Sequence, residues 1–185
     1  MSQDVVDLIM SDHREVERLF ETLKSDPGSR PGLTPVLTTL LTAHSRAEES
    51  DVYPAARDEA GIAEDVKHSQ EEHLLADQLL AELADCDPAS PAYDTALAKL
   101  VDAVTHHVEE EESTVLPGMR KGLSTERRAE LGQAFLDSRA EHLGEQPDDI
   151  TRDQLAQQAR NIDVPTSGKS KDELAKELSE HAEDE

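Results

Sequence analysis

The sequence has no tryptophan, one cysteine, two phenylalanines and two tyrosines among its 185 residues. Any core must therefore be filled by Leu, Val, Ile and Ala rather than by rings. The lone Cys86 excludes an internal disulfide and gives no sign of an oxidising compartment. No apolar run approaches the roughly 20 residues that span a bilayer as a helix. The N-terminus MSQDVVDLIM has no basic stretch leading into an apolar one, so no secretion signal is visible and a cytoplasmic protein is expected. Basic residues are scarce too: 18 Lys and Arg stand against 42 Asp and Glu, a formal charge of −24. Nucleic acid phosphates and anionic lipid would both be repelled. Glycine and proline are few and cluster between periodic segments. With 32% of residues charged, that pattern suits a helical bundle better than a β-sandwich.

What the sequence does contain is a repeat. HSRAEESDVYP at His44–Pro54 and HVEEEESTVLP at His107–Pro117 share His-x-x-x-Glu-Glu, with a proline six residues after the first glutamate. An α-helix brings positions i and i+4 onto one face. His44 with Glu48, and His107 with Glu111, therefore each aim an imidazole and a carboxylate the same way. The prolines predict helix ends just before Pro54 and Pro117.

The repeat extends beyond these stretches. Val6, Ile9, His13, Val16, Phe20 and Leu23 form the apolar stripe of a first helix over about residues 4–23, with His13 in an apolar position. After the break KSDPGSRPG, a second helix is predicted from Thr34, with Pro35 in its first turn and Leu37, Leu40, Leu41, His44 and Glu48 inward. The third helix starts near Glu64, and its stripe Val66, Ser69, His73, Ala76, Leu80 and Leu83 puts His73 in the place of His13. Following ADCDPASPA, the fourth turns Leu97, Leu100, Val104, His107, Glu111 and Val115 inward. SDHREVERLFETL aligns with EEHLLADQLLAEL, and the linkers share DPGS and DPAS. The doubled helix–loop–helix predicts an all-α fold: an antiparallel up-down four-helix bundle with an internal two-fold repeat.

LSTERRAELGQAFLDSRAEHL predicts a fifth helix, capped at Ser124 or Thr125, with Leu131, Ala134, Phe135 and Ser138 inward and packed along or across the bundle. Bundle and fifth helix together take residues 1–144, and a polar linker takes 145–149. A small helix–extended–helix module follows at 150–180, then an acidic tail at 181–185.

Six polar groups share the predicted interior: His13, His44, Glu48, His73, His107 and Glu111. Burying two unpartnered carboxylates would cost more than the roughly 5–15 kcal/mol by which a domain is stable. A pair of cations removes that conflict. One histidine on an apolar stripe is most often a satisfied core residue; six groups at repeat-related positions point to a dinuclear metal site. The lack of cysteine ligands disfavours structural zinc and iron–sulfur clusters. Four imidazoles with two carboxylates suit two iron ions, with manganese second. The Glu-x-x-His motif of ferritin-like bundles is reversed here; the nearest spacing in that sense is Asp65 to His68.

On these residues the chain resembles the hemerythrin family, in its bacterial hemerythrin-like or HHE cation-binding branch, over about residues 4–140. The resemblance implies a non-haem di-iron centre bridged by Glu48, Glu111 and an oxo or hydroxo group. It implies His13 and His44 on one iron, His73 and His107 on the other. Oxygen-carrying members add a fifth histidine one turn before the third-helix ligand and place the last carboxylate five residues after its histidine. Here Ser69 stands one turn before His73, His68 lies five residues before it, and Glu111 follows its histidine by four. His68 is thus a seventh candidate ligand, reaching the metal through a local π-type turn. As a surface histidine beside Lys67 it would instead leave open iron positions and favour peroxide, nitric oxide or iron handling.

The remaining groups carry weaker signals. Glu49 and Glu112 are expected in solvent or outer contacts, Glu109 and Glu110 on a solvated face, and His106 exposed. His142 and His181 have no partner pattern, Tyr53 is expected to pack, and Cys86 is not expected to be reactive. TRDQLAQQARNIDVPTSGKSKDELAKEL resembles the small helical module of transcription terminator Rho, related in shape to SAP modules. Twelve acidic and five basic residues over 145–185 favour a protein contact or a simple helical hairpin over phosphate binding. The leading expectation is a protein that binds or senses a small oxidant: dioxygen, nitric oxide or hydrogen peroxide. The alternatives are a peroxidase- or catalase-like enzyme and an iron store or iron-responsive switch. The enzyme needs a proton donor besides Glu48 and Glu111, and the sequence shows none.

Overall fold

Asp4 starts the first helix by accepting a hydrogen bond from the Val6 amide at 3.0 Å, which satisfies one of the free donors of the first turn. From there the computed structural model, which describes residues 3–183, is built of helices and turns. In chain order they are α1 (Val5–Ser25), α2 (Arg30–Ala47), α3 (Tyr53–Asp58), α4 (Ala63–Asp85), α5 (Pro91–Ser113), α6 (Val115–Gly122), α7 (Thr125–His142), α8 (Arg152–Asn161) and α9 (Lys171–Glu183). Helices α1, α2, α4 and α5 form the bundle, α1 packing on α2 and α5, and α4 on α5 and α2. The predicted four-helix architecture is present. No helix among the described residues is long and apolar enough to cross a membrane.

The expected helix end just before Pro54 is not found, while ahead of Pro117 α5 ends at Ser113, a few residues earlier than expected. After α2 the backbone widens into a π-helix over Glu48–Val52 and runs straight into α3, with Pro54 in its first turn. Pro117 likewise falls in the first turn of α6, which follows a single break at Thr114. At Pro117 the missing N–H costs nothing, because amides in a first turn have no partner in the helix. Helix α2 also begins earlier than Thr34. Arg30 is buried and donates to the Leu23 carbonyl at 3.0 Å and to Asp94 at 2.7 Å, holding the start of α2 against its neighbours.

The bundle core is split in two. At one end Val5, Ile9, Val52, Tyr53, Val66, Val115, Leu116 and Phe135 pack together. At the other, Val16, Leu19, Phe20, Leu23, Leu37, Leu80, Leu83, Leu100 and Val104 do. On each of the four long helices a buried histidine lies between these two clusters. A polar layer thus crosses the middle of the core.

Helix α7, capped by Ser124 through the Arg127 amide, lies against α1 and α2 and completes the first cluster with Leu131 and Phe135. Gly132 allows the close approach: a Cβ there would sit 2.0 Å from the Gln3 carbonyl oxygen. The C-terminal helices α8 and α9 enclose a cluster of their own, with Leu155, Ala159, Ile162, Leu174 and Leu178 packed on Leu74 of α4. Helix α9 runs into the stretch expected as a solvated tail, because Ala182 is buried in that cluster.

Candidate metal centre

The six interior groups converge. The Nε2 atoms of His44 and His73 lie 3.1 and 3.3 Å from Glu48 Oε2. His13 Nε2 is 3.2 Å from Glu111 Oε2, and His107 Nε2 is 3.9 Å from the same oxygen. The Nε2 atoms of His73 and His107 are 3.1 Å apart. Two sets of three are within reach of a single ion: His13, His44 and Glu48, and Glu48, His73 and His107. All six residues are at most 6% exposed. Yet His13 Nε2, both Glu48 oxygens and Glu111 Oε2 have no hydrogen-bond partner. They lie close to one another without a hydrogen bond. Buried polar atoms left in this way cost free energy unless something else meets them. Imidazole nitrogens and carboxylate oxygens are the donor set that suits borderline divalent cations, so the residues present fit a bound metal.

The far side of each ring is also held. Nδ1 of His13 donates to Glu112 Oε1 at 2.9 Å, His44 to Asp12 at 3.3 Å, His73 to Glu49 at 3.2 Å and His107 to Glu72 at 2.8 Å. Such carboxylates fix the tautomer that leaves Nε2 free to bind a metal. The arrangement follows the repeat. The residue before His13 or His73, Asp12 or Glu72, holds the second histidine of its own half, His44 or His107. The residue after each inner glutamate, Glu49 or Glu112, reaches the first histidine of the other half, His73 or His13. Glu49 and Glu112 were expected in solvent or in outer contacts; Asp12 and Glu72 were not singled out.

Charges in this layer shift one another. Burial alone would push the His44 imidazole down, but Glu48 and Asp12 outweigh it and hold it up at about 10. Burial likewise opposes protonation of His73, and Glu48 and Glu49 again raise it to about 10. Glu49 is raised by burial, but Arg46, His73 and Gln70 bring it down to about 2. Protons on the rings thus stand in for cations.

Tyr53 is fully buried, as a packing residue would be, but its hydroxyl also enters the site. It donates to Glu111 Oε1 at 3.3 Å and lies 3.1 Å from His73 Nε2. The π-helical stretch just before it makes this possible, since it keeps the chain helical through Val52. His68 does not join the six. Helix α4 is regular across it, without the widening that would bring it inward, and its side chain is 42% exposed beside Glu72. Ser69, one turn before His73, is buried.

Two outer elements complete the layer. From α7, Phe135 packs edge-on against His44, with ring centroids 5.7 Å apart, and Arg139 pairs with Asp12. From α8, Gln158 donates to both Glu49 oxygens at 3.1 Å, and Asn161 donates to the Glu49 carbonyl at 3.0 Å and to Gln70 at 2.9 Å. Arg46, only 2% exposed, pairs with Glu49 at 3.0 Å and with Asp77 at 2.8 Å. The C-terminal module is therefore tied to the carboxylate that orients His73. Gln158→Ala is expected to destabilise the protein by about 1–3 kcal/mol, the cost of stripping a donor from a buried carboxylate. Urea denaturation of the full chain would measure this, and an unchanged midpoint would contradict the tie.

Against one side of the four imidazoles lies a small cavity of about 20 Å³, walled by Val16, Leu41, Ala76, Val104 and Val108. A water molecule needs about 10–15 Å³ by this kind of measure. The space suits a molecule of two or three atoms.

A family model described as hemerythrin HHE cation binding domain matches residues 4–118. A protein named DNA nickase from Nostoc sp. is 30% identical over 134 residues, which cover 71% of this chain and 38% of that protein. An uncharacterized hemerythrin-like protein from Schizosaccharomyces pombe is 27% identical over 138 residues, 71% of this chain and 66% of that one. The chain thus spans less than two thirds of either relative. No solved structure matches significantly.

Proposed function

Since the chain belongs to the hemerythrin HHE cation-binding family, we propose that its six buried donors hold two iron ions and that the cavity beside them takes up dioxygen or nitric oxide. Iron would supply an exchangeable coordination position and electrons for such a molecule. The protein's own part is to hold, orient and exclude. His13, His44, Glu48, His73, His107 and Glu111 are the ligands; Asp12, Glu49, Glu72 and Glu112 keep the rings aimed. Val16, Leu41, Val104 and Val108 keep water out of the space next to them. The observation that carries this reading is the size and apolar lining of that cavity, on the face of the imidazoles away from Tyr53.

The nickase activity named for the Nostoc relative is not part of it. This chain spans 38% of that protein, and its charge of −24 opposes a phosphate backbone. A second reading, peroxide turnover, has one specific support. The Tyr53 hydroxyl is the interior proton donor that the sequence did not reveal.

The test is anaerobic loading with ferrous iron, then addition of dioxygen or nitric oxide, alongside Val104→Phe, which fills the cavity. The wild type is expected to show a reversible spectral change. The variant should keep its iron and lose at least about 10-fold in affinity, equivalent to about 1.4 kcal/mol. Equal binding by the two proteins would contradict the cavity's role. Steady peroxide consumption that Tyr53→Phe abolishes would favour the second reading.

A further inference from the structure

Glu72 stands at the boundary between the buried layer and the surface. Its Oε2 accepts from His107 Nδ1 at 2.8 Å. Its other oxygen, Oε1, has no hydrogen-bond partner although the residue is only 6% exposed. Two imidazoles come near that oxygen from the solvent side: His68 Nε2 at 3.6 Å, one turn earlier on α4, and His106 Nε2 at 3.6 Å, from α5. Their side chains are 42% and 62% exposed. The three donor atoms all lie within 4.8 Å of one another.

We infer that His68, His106 and Glu72 form a second cation site, open to solvent and suited to one divalent ion of the zinc class. Two imidazoles and one carboxylate oxygen, with water in the remaining position, are a recurrent ligand set for zinc. At 3.6 Å the contacts are too long for hydrogen bonds. Two bonds of about 2.0–2.1 Å meeting at a tetrahedral angle set their donors roughly 3.3 Å apart, so a closure of a few tenths of an ångström would bind an ion. The bare Oε1 is a buried acceptor that an ion would satisfy. Glu109 and Glu110 follow His106 on α5, and the strongly acidic surface concentrates cations near it. Because the same carboxylate orients His107, an ion here pulls on a ligand of the buried centre, and the two sites share one side chain.

The site does not depend on what the buried centre holds. To test it, the full chain with its buried metals in place is titrated with zinc sulfate by calorimetry, beside the double variant H68A/H106A and the single variant His106→Gln. The wild type is expected to bind one zinc ion that the double variant does not, with His106→Gln weakened at least tenfold. The iron content of all three should be equal. No additional zinc in the wild type, or the same uptake by the double variant, would overturn the proposal. If instead the iron reading of the buried centre were wrong, the buried metal would differ from expectation equally in all three proteins, and the one-zinc difference would remain.

Discussion

Glu48→Ala is expected to empty both halves of the buried centre at once. Its Oε2 lies 3.1 Å from His44 Nε2 and 3.3 Å from His73 Nε2, and Glu48 belongs to both three-residue sets. Losing an outer carboxylate typically costs about 10–100-fold in metal affinity; losing a ligand common to two ions should cost more. Asp12→Ala or Glu112→Ala, by contrast, should weaken retention within that smaller range, since each removes only the support of one ring. Glu48→Ala should also weaken the metal-free fold, because Glu48 pairs with the protonated His44 and His73 there. Glu49→Ala spares the shared ligand but removes the acceptor of Arg46 and Gln158. That change leaves Arg46 partly uncompensated and should cost about 3–5 kcal/mol of stability. Iron per chain after gel filtration, and a urea melt of each metal-free variant, separate the two effects. Full iron retention by Glu48→Ala would contradict its shared role.

Metal loading is expected to invert the pH dependence of stability. In the metal-free protein His44 and His73 are held at about 10, above their ordinary 6.5. A raised folded value means the contribution is complete below about pH 6.5 and is lost as the pH climbs towards 10. Glu49 is held at about 2 and Glu48 well below its ordinary 4.5. Their contribution is complete above about pH 4.5 and is lost as the pH falls through the folded values. The metal-free chain should therefore be most stable between about pH 4.5 and 6.5, and alkali should weaken it. Two groups shifted this far amount to several kcal/mol, or on the order of 10 °C in Tm between pH 6.5 and 10. Cations compete with those same protons, since a ligand imidazole must be neutral. The loaded protein should hold its Tm across that range and lose metal on acidification instead. Calorimetric melts at pH 6, 8 and 9.5 would decide it. Parallel curves for the two forms would count against proton–metal exchange.

The doubled His-x-x-x-Glu-Glu and the two stripe histidines were enough to place six groups on inward faces, because helix periodicity and a repeat are properties of one chain read in order. What escaped was contact between helices. Asp12 and Glu72 precede stripe histidines and face neighbouring helices, where they meet His44 and His107. Only the three-dimensional pairing reveals that, although the repeat carries the same acidic residue in both halves. Tyr53 was expected to pack, and nothing in the pattern signalled the π-helical stretch Glu48–Val52 that also places its hydroxyl beside Glu111. The same kind of widening was the route offered for His68, and α4 does not take it. Gln158 and Asn161 lie in a segment whose pattern suggested a separate module, yet their amides close the shell around Glu49.

Counting metal is the most direct measurement of whether this interior holds the two iron ions proposed. After expression of the full chain in iron-replete medium and removal of loosely held ions, elemental analysis should find two iron atoms per chain. It should find far fewer in Glu48→Ala. One zinc ion per chain with no iron, or iron content unchanged by that substitution, would contradict the account.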